Sequence, residues 1–450
     1  MIKLPEKFEQ RMKVLLKEEF SAYINSLQKP PVKGFRVNTE KISLNDFEKI
    51  NPFGNKKIPY VENGFYLDFE KVGNHPFHHA GMVYVQEPAA MAPAECVDLD
   101  GDLTVLDMCA APGGKSTQLR NKLSKNSVLV SNEIVSSRCK ILTGNIERLG
   151  LKNCITTCLD SSKIAKAFPK AFDLIMVDAP CSGEGMFRKE PVAVEEWSEE
   201  NVLMCAKRQS EILENAVLCL KDGGTIIYAT CTFSLEENEM TVDSFLKKHP
   251  EFELVPVTKR VQEASCDAIS FENCSCENIH LARRFYPHKA LGEGQFMAVL
   301  KNKNNSTNNA LSKTDFKKTD NTVIEFLKDT LENFEDLGVQ FYNDKPIIFD
   351  NRLSIPERTA FSVGVTVGEV KKGYILPHHQ FFMAYGSGFK RKMELSPDSE
   401  ELKRFLHGEE IETVFQNGWV AVTTKGCTIG GGKAVSGRLK NHYPKGLRTK

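Results

Sequence analysis

The sequence predicts an α/β fold built around a doubly wound parallel sheet, and three observations carry that prediction. Between residues 103 and 300, short apolar β-rich runs alternate with amphipathic segments, the pattern of strands buried on both faces and covered by helices. A Gly-rich turn, CAAPGGK at 109–115, follows the first of these runs and opens a helical segment. The texture changes on either side, and KNKNNSTNNA at 301–310 has almost nothing to bury. A chain of 450 residues is too long for one ordinary domain. The expected division is a small mixed N-terminal domain at 1–95, the doubly wound domain at 96–302, a linker and connecting segment at 303–350, and a β-rich module at 351–450.

Behind Pro5, the residues Phe8, Met12, Leu15, Leu16, Phe20, Tyr23, Ile24 and Leu27 recur at three- and four-residue spacing, which predicts one amphipathic helix ending near Pro30 and Pro31. GFRVNT at 34–39 reads as a short strand. In the central region the predicted strands are LTVLDM (103–108), SVLVSNE (127–133), CITTC (154–158), FDLIMVD (172–178), GTIIYAT (224–230) and QFMAVL (295–300), with helices at 136–149 and 201–221. Past the linker, FSVGVTVGEV and WVAVTT with Gly-rich turns predict the β-rich module.

Hydrophobic residues make up 41% and charged residues 26%, globular values that exclude a largely disordered chain. No apolar run is long enough to span a membrane, and the charged N-terminus does not look like a secretory signal, so a cytoplasmic protein with no membrane association is expected. Its 13 cysteines are expected to be reduced thiols. The 59 basic and 59 acidic residues cancel, yet residues 421–450 hold seven Lys or Arg and no acid. That stretch is either a phosphate-binding face or a solvated tail.

Three acids follow successive predicted strands, Glu133, Asp160 and Asp178, on the sheet edge where the Gly-rich turn also lies. An acid after the second strand can take two hydrogen bonds from ribose hydroxyls, and Asp160 can accept from an adenine amino group. Each could equally be a turn or helix-capping acid. Carboxylates in the crevice favour a cationic adenosyl cofactor over one bearing phosphates. Two further motifs, DAPCSGEGMFRKEP (178–191) and YATCTFSLEENE (228–239), each place a cysteine just beyond a strand, Cys181 and Cys231. Either could be an inert buried thiol.

The motifs LDMCAAPGGKS, NEIVSSRCKILTGNIERLG, VDAPCSGEGMFRKEP and YATCTFSLEENE together resemble the Nop/Sun family of RNA cytosine-C5 methyltransferases, nearest its bacterial ribosomal RNA branch. Weaker likeness reaches both ends, with NHYPKGLR similar to that branch's C-terminal extension. The resemblance implies a Rossmann-like methyltransferase sheet, an N-terminal RNA-recognition domain, a PUA-like RNA-binding module, and S-adenosylmethionine (S-adenosyl-L-methionine) as cofactor. It implies that Cys109, Ala110, Ala111, Pro112, Gly113, Gly114 and Lys115, with Glu133, Asp160 and Asp178, bind that cofactor. It also implies that Cys231 attacks cytosine C6 and that Cys181 assists release. Chemistry alone leaves the two cysteines interchangeable, because cytosine-C5 enzymes acting on DNA attack with the Pro-Cys thiol. The partner implied is RNA, ribosomal ahead of tRNA, and the protein is expected to be a monomer. The competing readings are a tRNA cytosine-C5 methyltransferase and a non-catalytic RNA-binding assembly factor.

Cys266, Cys274, Cys276 and His280 match no common zinc spacing, so no metal is expected. His75, His78 and His79 read as a solvated polar loop.

Overall fold

Residues 3–305, 317–318, 321–349 and 353–449 are described by a computed structural model of the chain. The second half of KNKNNSTNNA, residues 306–310, lies outside them. The periodicity behind Pro5 forms two helices rather than one, Glu6–Leu16 and Phe20–Leu27, separated by a 3-10 turn at Lys17–Glu19. Lys17 takes a φ of +48° and donates its N–H back to Lys13 O, which interrupts the repeat. Phe8, Met12, Leu16, Tyr23 and Leu27 still share one buried face, packed against Phe187, Trp197, Phe233 and Tyr286. The N-terminal helices therefore lean on the loops that carry the two motif cysteines.

GFRV forms β1 (Gly34–Val37) between β2 (Gly64–Tyr66) and β3 (Val83–Gln86), all antiparallel. The histidines expected to be solvated are instead packed. His75 accepts from Phe77 N as the cap of the short helix Pro76–His79, and His79 Nδ1 is 2.7 Å from the Tyr443 hydroxyl. Burial pushes His78 down to about 3 and His79 to about 4, so both are neutral, and His79 meets the C-terminal module through Tyr443.

The central sheet has ten strands. Its parallel part comprises β4 (Thr104–Asp107), β5 (Val128–Asn132), β6 (Cys154–Thr157), β7 (Phe172–Asp178) and β8 (Leu220–Thr230), in the spatial order β8-β7-β4-β5-β6. The chain runs outward through β5 and β6, then returns to the other side of β4. That reversal between β4 and β7 opens a crevice at the strands' C-terminal ends. Beyond β8, antiparallel pairing adds β9 (Phe252–Val255), β10 (Cys266–Asp267), β11 (Arg283–Phe285) and β12 (Gln295–Asn302). The helices Ser136–Leu149 and Glu199–Cys219 cover opposite faces, with Leu142, Ile146 and Leu149 in one core and Ile212, Leu213 and Ala216 in the other.

The second half of the 303–350 segment is folded, as the helix Asn321–Thr330 and a hairpin of Val339–Tyr342 with Lys345–Ile348. Part of FSVGVTVGEV, the strand Ala360–Val363, pairs antiparallel with β6 and closes the far edge of the central sheet. Ile347, Phe349, Leu353, Ile355 and Val363 accordingly belong to the same core as β4 and β7. WVAVTT lies in a separate five-stranded sheet, whose long central pair is Asn417–Thr424 and Cys427–Val435. The basic 421–450 stretch is thus mainly strand rather than tail, with Val422 and Ile429 buried and Lys425 and Lys440 exposed. Among the described residues no helix is long and apolar enough to cross a membrane.

Candidate active site

At the switch point, β4 delivers the turn Met108–Pro112 to the helix Gly114–Lys122. Gly113, with a φ of +112°, makes the corner that an L side chain would strain. Arg36, wholly buried on β1, braces the helix start by donating to Gln86 Oε1 at 2.8 Å, Gly114 O at 2.8 Å and Thr117 Oγ1 at 2.9 Å. Asp107 accepts from Ser116 Oγ at 2.6 Å, and burial raises its carboxyl to about 7. Cys109, Ala111 and Lys115 reach a cavity of about 680 Å³ at the strand ends. Ala110, Pro112, Gly113 and Gly114 shape the turn instead, tied down by bonds such as Ala110 N to Asn132 O and Asn145 Nδ2 to Pro112 O.

All three strand-end acids line that cavity. Glu133 is nearly buried, accepts from Val135 N at 2.9 Å and pairs with Arg138 at 3.2 Å. Asp160 caps the helix Ser161–Ala167, accepting from Ser162 Oγ at 2.6 Å and from Lys163 N at 3.1 Å, and these bonds hold it at about 2. The capping and ligand readings of Asp160 are therefore compatible. Asp178 accepts from Lys115 Nζ at 2.8 Å. Asn132, which the sequence reading passed over, ties three segments together: its Nδ2 donates to Met108 O and Leu159 O, and its Oδ1 accepts from Thr157 Oγ1.

Cys181 and Cys231 follow adjacent parallel strands, β7 and β8, and their sulfurs lie 3.2 Å apart on the cavity wall. The hydrogen bond to Cys231, together with burial, holds the Cys181 thiol well above its ordinary value. Burial disfavours charge on Lys115, but Asp178 and Cys231 beside it win and raise its ammonium above the usual range. The Lys115 ammonium lies close enough to Cys231 to interact with it electrostatically.

The loops bearing the thiols are fixed by residues that sequence reasoning did not single out. Glu237 accepts from Ser182 N at 3.0 Å, from Ser182 Oγ, and from Gln209 Nε2 at 2.8 Å. Gln209 also donates to Pro180 O, and the Tyr228 hydroxyl donates to Glu237 O at 2.6 Å. Glu184 accepts from Trp197 Nε1 and Phe233 N, while Arg284 and Glu239 form an ion pair with no exposed surface to speak of. SLEENE was visible as a motif, but its partners Gln209, Ser182, Tyr228 and Arg284 come from a helix, a loop and two strands. Among the described residues no three His, Cys, Asp or Glu side chains converge as a metal centre requires.

Comparison with known proteins agrees with this architecture segment by segment. Residues 94–301 match the family described as 16S rRNA methyltransferase RsmB/F, residues 4–88 the N-terminal domain of 16S rRNA methyltransferase RsmF, and residues 392–449 the methyltransferase RsmF PUA domain. The ribosomal RNA small subunit methyltransferase F of Vibrio cholerae serotype O1 is 31% identical over 487 residues, spanning 99% of this chain and 98% of the relative. The protein of that name from Klebsiella pneumoniae is 31% identical, over 98% and 96% of the two chains. A methyltransferase homolog from Pyrococcus horikoshii superposes with a TM-score of 0.59 at 29% identity, covering 67% of this chain and 96% of its own. NSun6 from the same organism, solved with SFG, shares the fold at a TM-score of 0.57 and 22% identity, over 67% and 99% of the chains. With its three segments matched in order and a relative aligned almost end to end, the chain belongs to the RsmB/RsmF family of 16S rRNA methyltransferases.

Proposed function

We propose that the protein methylates C5 of a cytosine in small-subunit ribosomal RNA, using S-adenosylmethionine and attacking through Cys231. The observation that carries this reading is the thiol pair: two sulfurs 3.2 Å apart, beside Lys115 and Asp178, on the wall of a strand-end cavity. The donor set suits the cofactor. Glu133 offers carboxylate oxygens to ribose hydroxyls, Asp160 an acceptor to an adenine amino group, and Ile134, Leu159 and Met108 apolar surface. The lining acids Glu87, Glu133, Asp160, Asp178 and Glu211 outnumber the cations Lys115, Arg138 and Arg208, two of which are paired with carboxylates, so the cavity suits a cationic cofactor better than a polyphosphate. Its volume is that of a small-molecule site. When bound there, S-adenosylmethionine supplies an electrophilic methyl group.

Cytosine C5 is too weak a nucleophile to take a methyl group unaided. Addition of the Cys231 thiolate to C6 forms an S–C6 bond and moves the C5–C6 π electrons onto C5, the atom to be methylated. Lys115 favours the thiolate electrostatically, and Cys181 donates its S–H toward it. Once Cys231 is bonded to carbon its charge is gone, and with it the main cause holding the Cys181 proton. Cys181 can then release that proton to solvent and take the proton from C5, so that the electron pair left behind expels Cys231 and restores the ring. The exposed lysines of the C-terminal sheet, Lys425 and Lys440, extend the RNA contact away from the base.

The test is a denaturing gel of labelled ribosomal RNA incubated with S-adenosylmethionine and wild type, Cys231→Ala or Cys181→Ala. Cys231→Ala is expected to give neither methylation nor adduct. Cys181→Ala is expected to accumulate a denaturation-resistant protein–RNA adduct. An adduct with Cys231→Ala alone would reverse the two roles, and turnover by both variants without adduct would remove covalent catalysis. Bisulfite sequencing of ribosomal RNA and tRNA from a deletion strain identifies the substrate.

A further inference from the structure

We infer that Gln295 reads the ring of the target base, donating from its side-chain amide to the N3–O2 edge of the cytosine. The inference rests on the cytosine reaction proposed above and adds a base contact to it. Gln295 opens β12 and lines the cavity that holds Cys181, Cys231, Lys115 and Asp178. Its side chain is buried, with 2% of the residue exposed, and its Nε2 has no hydrogen-bond partner. Buried amide donors are almost always paired, so an unpaired one needs an explanation. Among the described residues it is the only buried, unpartnered side-chain nitrogen or oxygen that belongs to a residue of this cavity. An unpaired donor in a residue that lines a binding site can be satisfied by a ligand acceptor once the amide turns toward the cavity.

The backbone places that amide beside Cys231. In the pairing of β12 with β8, Phe296 lies opposite Thr230, which sets Gln295 beside Cys231 at the strand end. Gly294 N donates to Gly185 O at 3.2 Å, and Gly185 N donates to Cys231 O at 2.8 Å. A Cβ on Gly185 would come within 2.7 Å of Gly294 Cα and 2.8 Å of Cys231 O, so the three segments touch and leave no room for slippage. From the other side, Glu293 N donates to Glu87 Oε1 at 2.7 Å, and the Glu293 carboxylate holds Arg188 at 2.9 Å. The amide is thus built into the frame of the nucleophile, away from the Glu133 and Asp160 end of the cavity.

The chemistry of the base supplies the acceptor. When the thiolate adds to C6, ring electrons shift through C4 toward N3 and O2, which are acceptors in the free base and become stronger ones as charge develops. A neutral N–H fixed at that edge stabilises the adduct and turns C6 toward Cys231.

The experiment compares wild type and Gln295→Leu on a synthetic RNA hairpin containing the cytidine found by bisulfite sequencing. Two further hairpins carry 3-deazacytidine, which lacks the N3 acceptor, or 2-thiocytidine, whose sulfur is a poor acceptor. On cytidine the variant is expected to lose about 10- to 100-fold in kcat/KM, with calorimetric affinity for S-adenosylmethionine held within about twofold. On one of the two analogues the ratio of wild type to variant is expected to collapse to within about threefold, because the contact is already gone. A ratio that stays the same on all three hairpins, or a fall in cofactor affinity that accounts for the loss, would overturn the inference. Absence of 5-methylcytosine with wild type on the cytidine hairpin would instead count against the proposed reaction.

Discussion

Glu237 offers a sharp test of the clamp behind the catalytic loops. It is buried and accepts three hydrogen bonds that favour its charged form, yet burial outweighs them and lifts its carboxyl from an ordinary 4.5 to about 7. A carboxyl raised in the folded state stabilises the fold most where it is neutral. Its contribution is complete below about 4.5 and is lost as pH rises through about 7. At about 1.4 kcal/mol per tenfold, that displacement is worth roughly 3 kcal/mol. Glu237→Gln cannot ionise, so the stability of the variant relative to wild type should rise by about that amount between pH 4.5 and pH 8. Any loss of hydrogen-bond geometry in the variant adds a constant offset and leaves the slope untouched. Asp107 and Glu147 are also lifted to about 7, but they are common to both proteins and cancel in the difference. The assay is urea unfolding across this range in a Trp419→Phe background, where Trp197, hydrogen-bonded to Glu184, alone reports. A difference that stays flat within about 0.5 kcal/mol would show that Glu237 is not held neutral by burial.

Asp160→Ala should weaken S-adenosylmethionine binding and also cost about 1 kcal/mol by uncapping the helix Ser161–Ala167. Asp160→Ser keeps a cap, so an affinity equal to wild type by calorimetry would take Asp160 out of the cofactor site. Arg284→Met alone should cost about 3–5 kcal/mol by stranding Glu239, and the double variant with Glu239→Leu should cost less; strictly additive losses in urea unfolding would contradict the pairing. Removal of residues 321–450 should impair cofactor binding and lower the melting temperature, because it strips Ile347, Phe349 and Val363 from the catalytic core. A truncated chain that binds S-adenosylmethionine and melts like wild type would refute that dependence.

The central strands were legible in the sequence because parallel strands covered on both faces must be apolar throughout, and LTVLDM or FDLIMVD leaves few other readings. The cavity was legible for the same reason: once the strand ends are known, the Gly-rich turn, Glu133, Asp160 and Asp178 fall on one edge. The strand Ala360–Val363 was not, since edge pairing is made by backbone groups that leave no mark on side-chain pattern, and FSVGV reads equally well as part of a separate module. The break at Lys17 was hidden because both helices keep the same apolar period across it. Gln209 lies in the middle of a long helix with no local signal, and only the approach of Glu237 gives its amide a purpose. The distance between the thiols likewise depends on β7 and β8 being neighbours, which a separation of 50 residues along the chain does not reveal.

The N-terminal sheet and the C-terminal module share one hydrophobic cluster, in which Phe35, Phe47, Phe65 and Phe77 pack with Leu395, Leu402, Phe405, Val420 and Leu439. That arrangement sets an order of events during synthesis. The first aromatic cluster leaves the ribosome long before its partners do, and at about 5–20 residues per second the wait is roughly 15–60 s. During that interval the nascent chain carries an unfinished apolar face, a surface for chaperones and a hazard for aggregation. The clasp between the two ends of the chain therefore works as a completion signal: the N-terminal unit acquires its full core only in molecules whose translation has reached the C-terminal sheet.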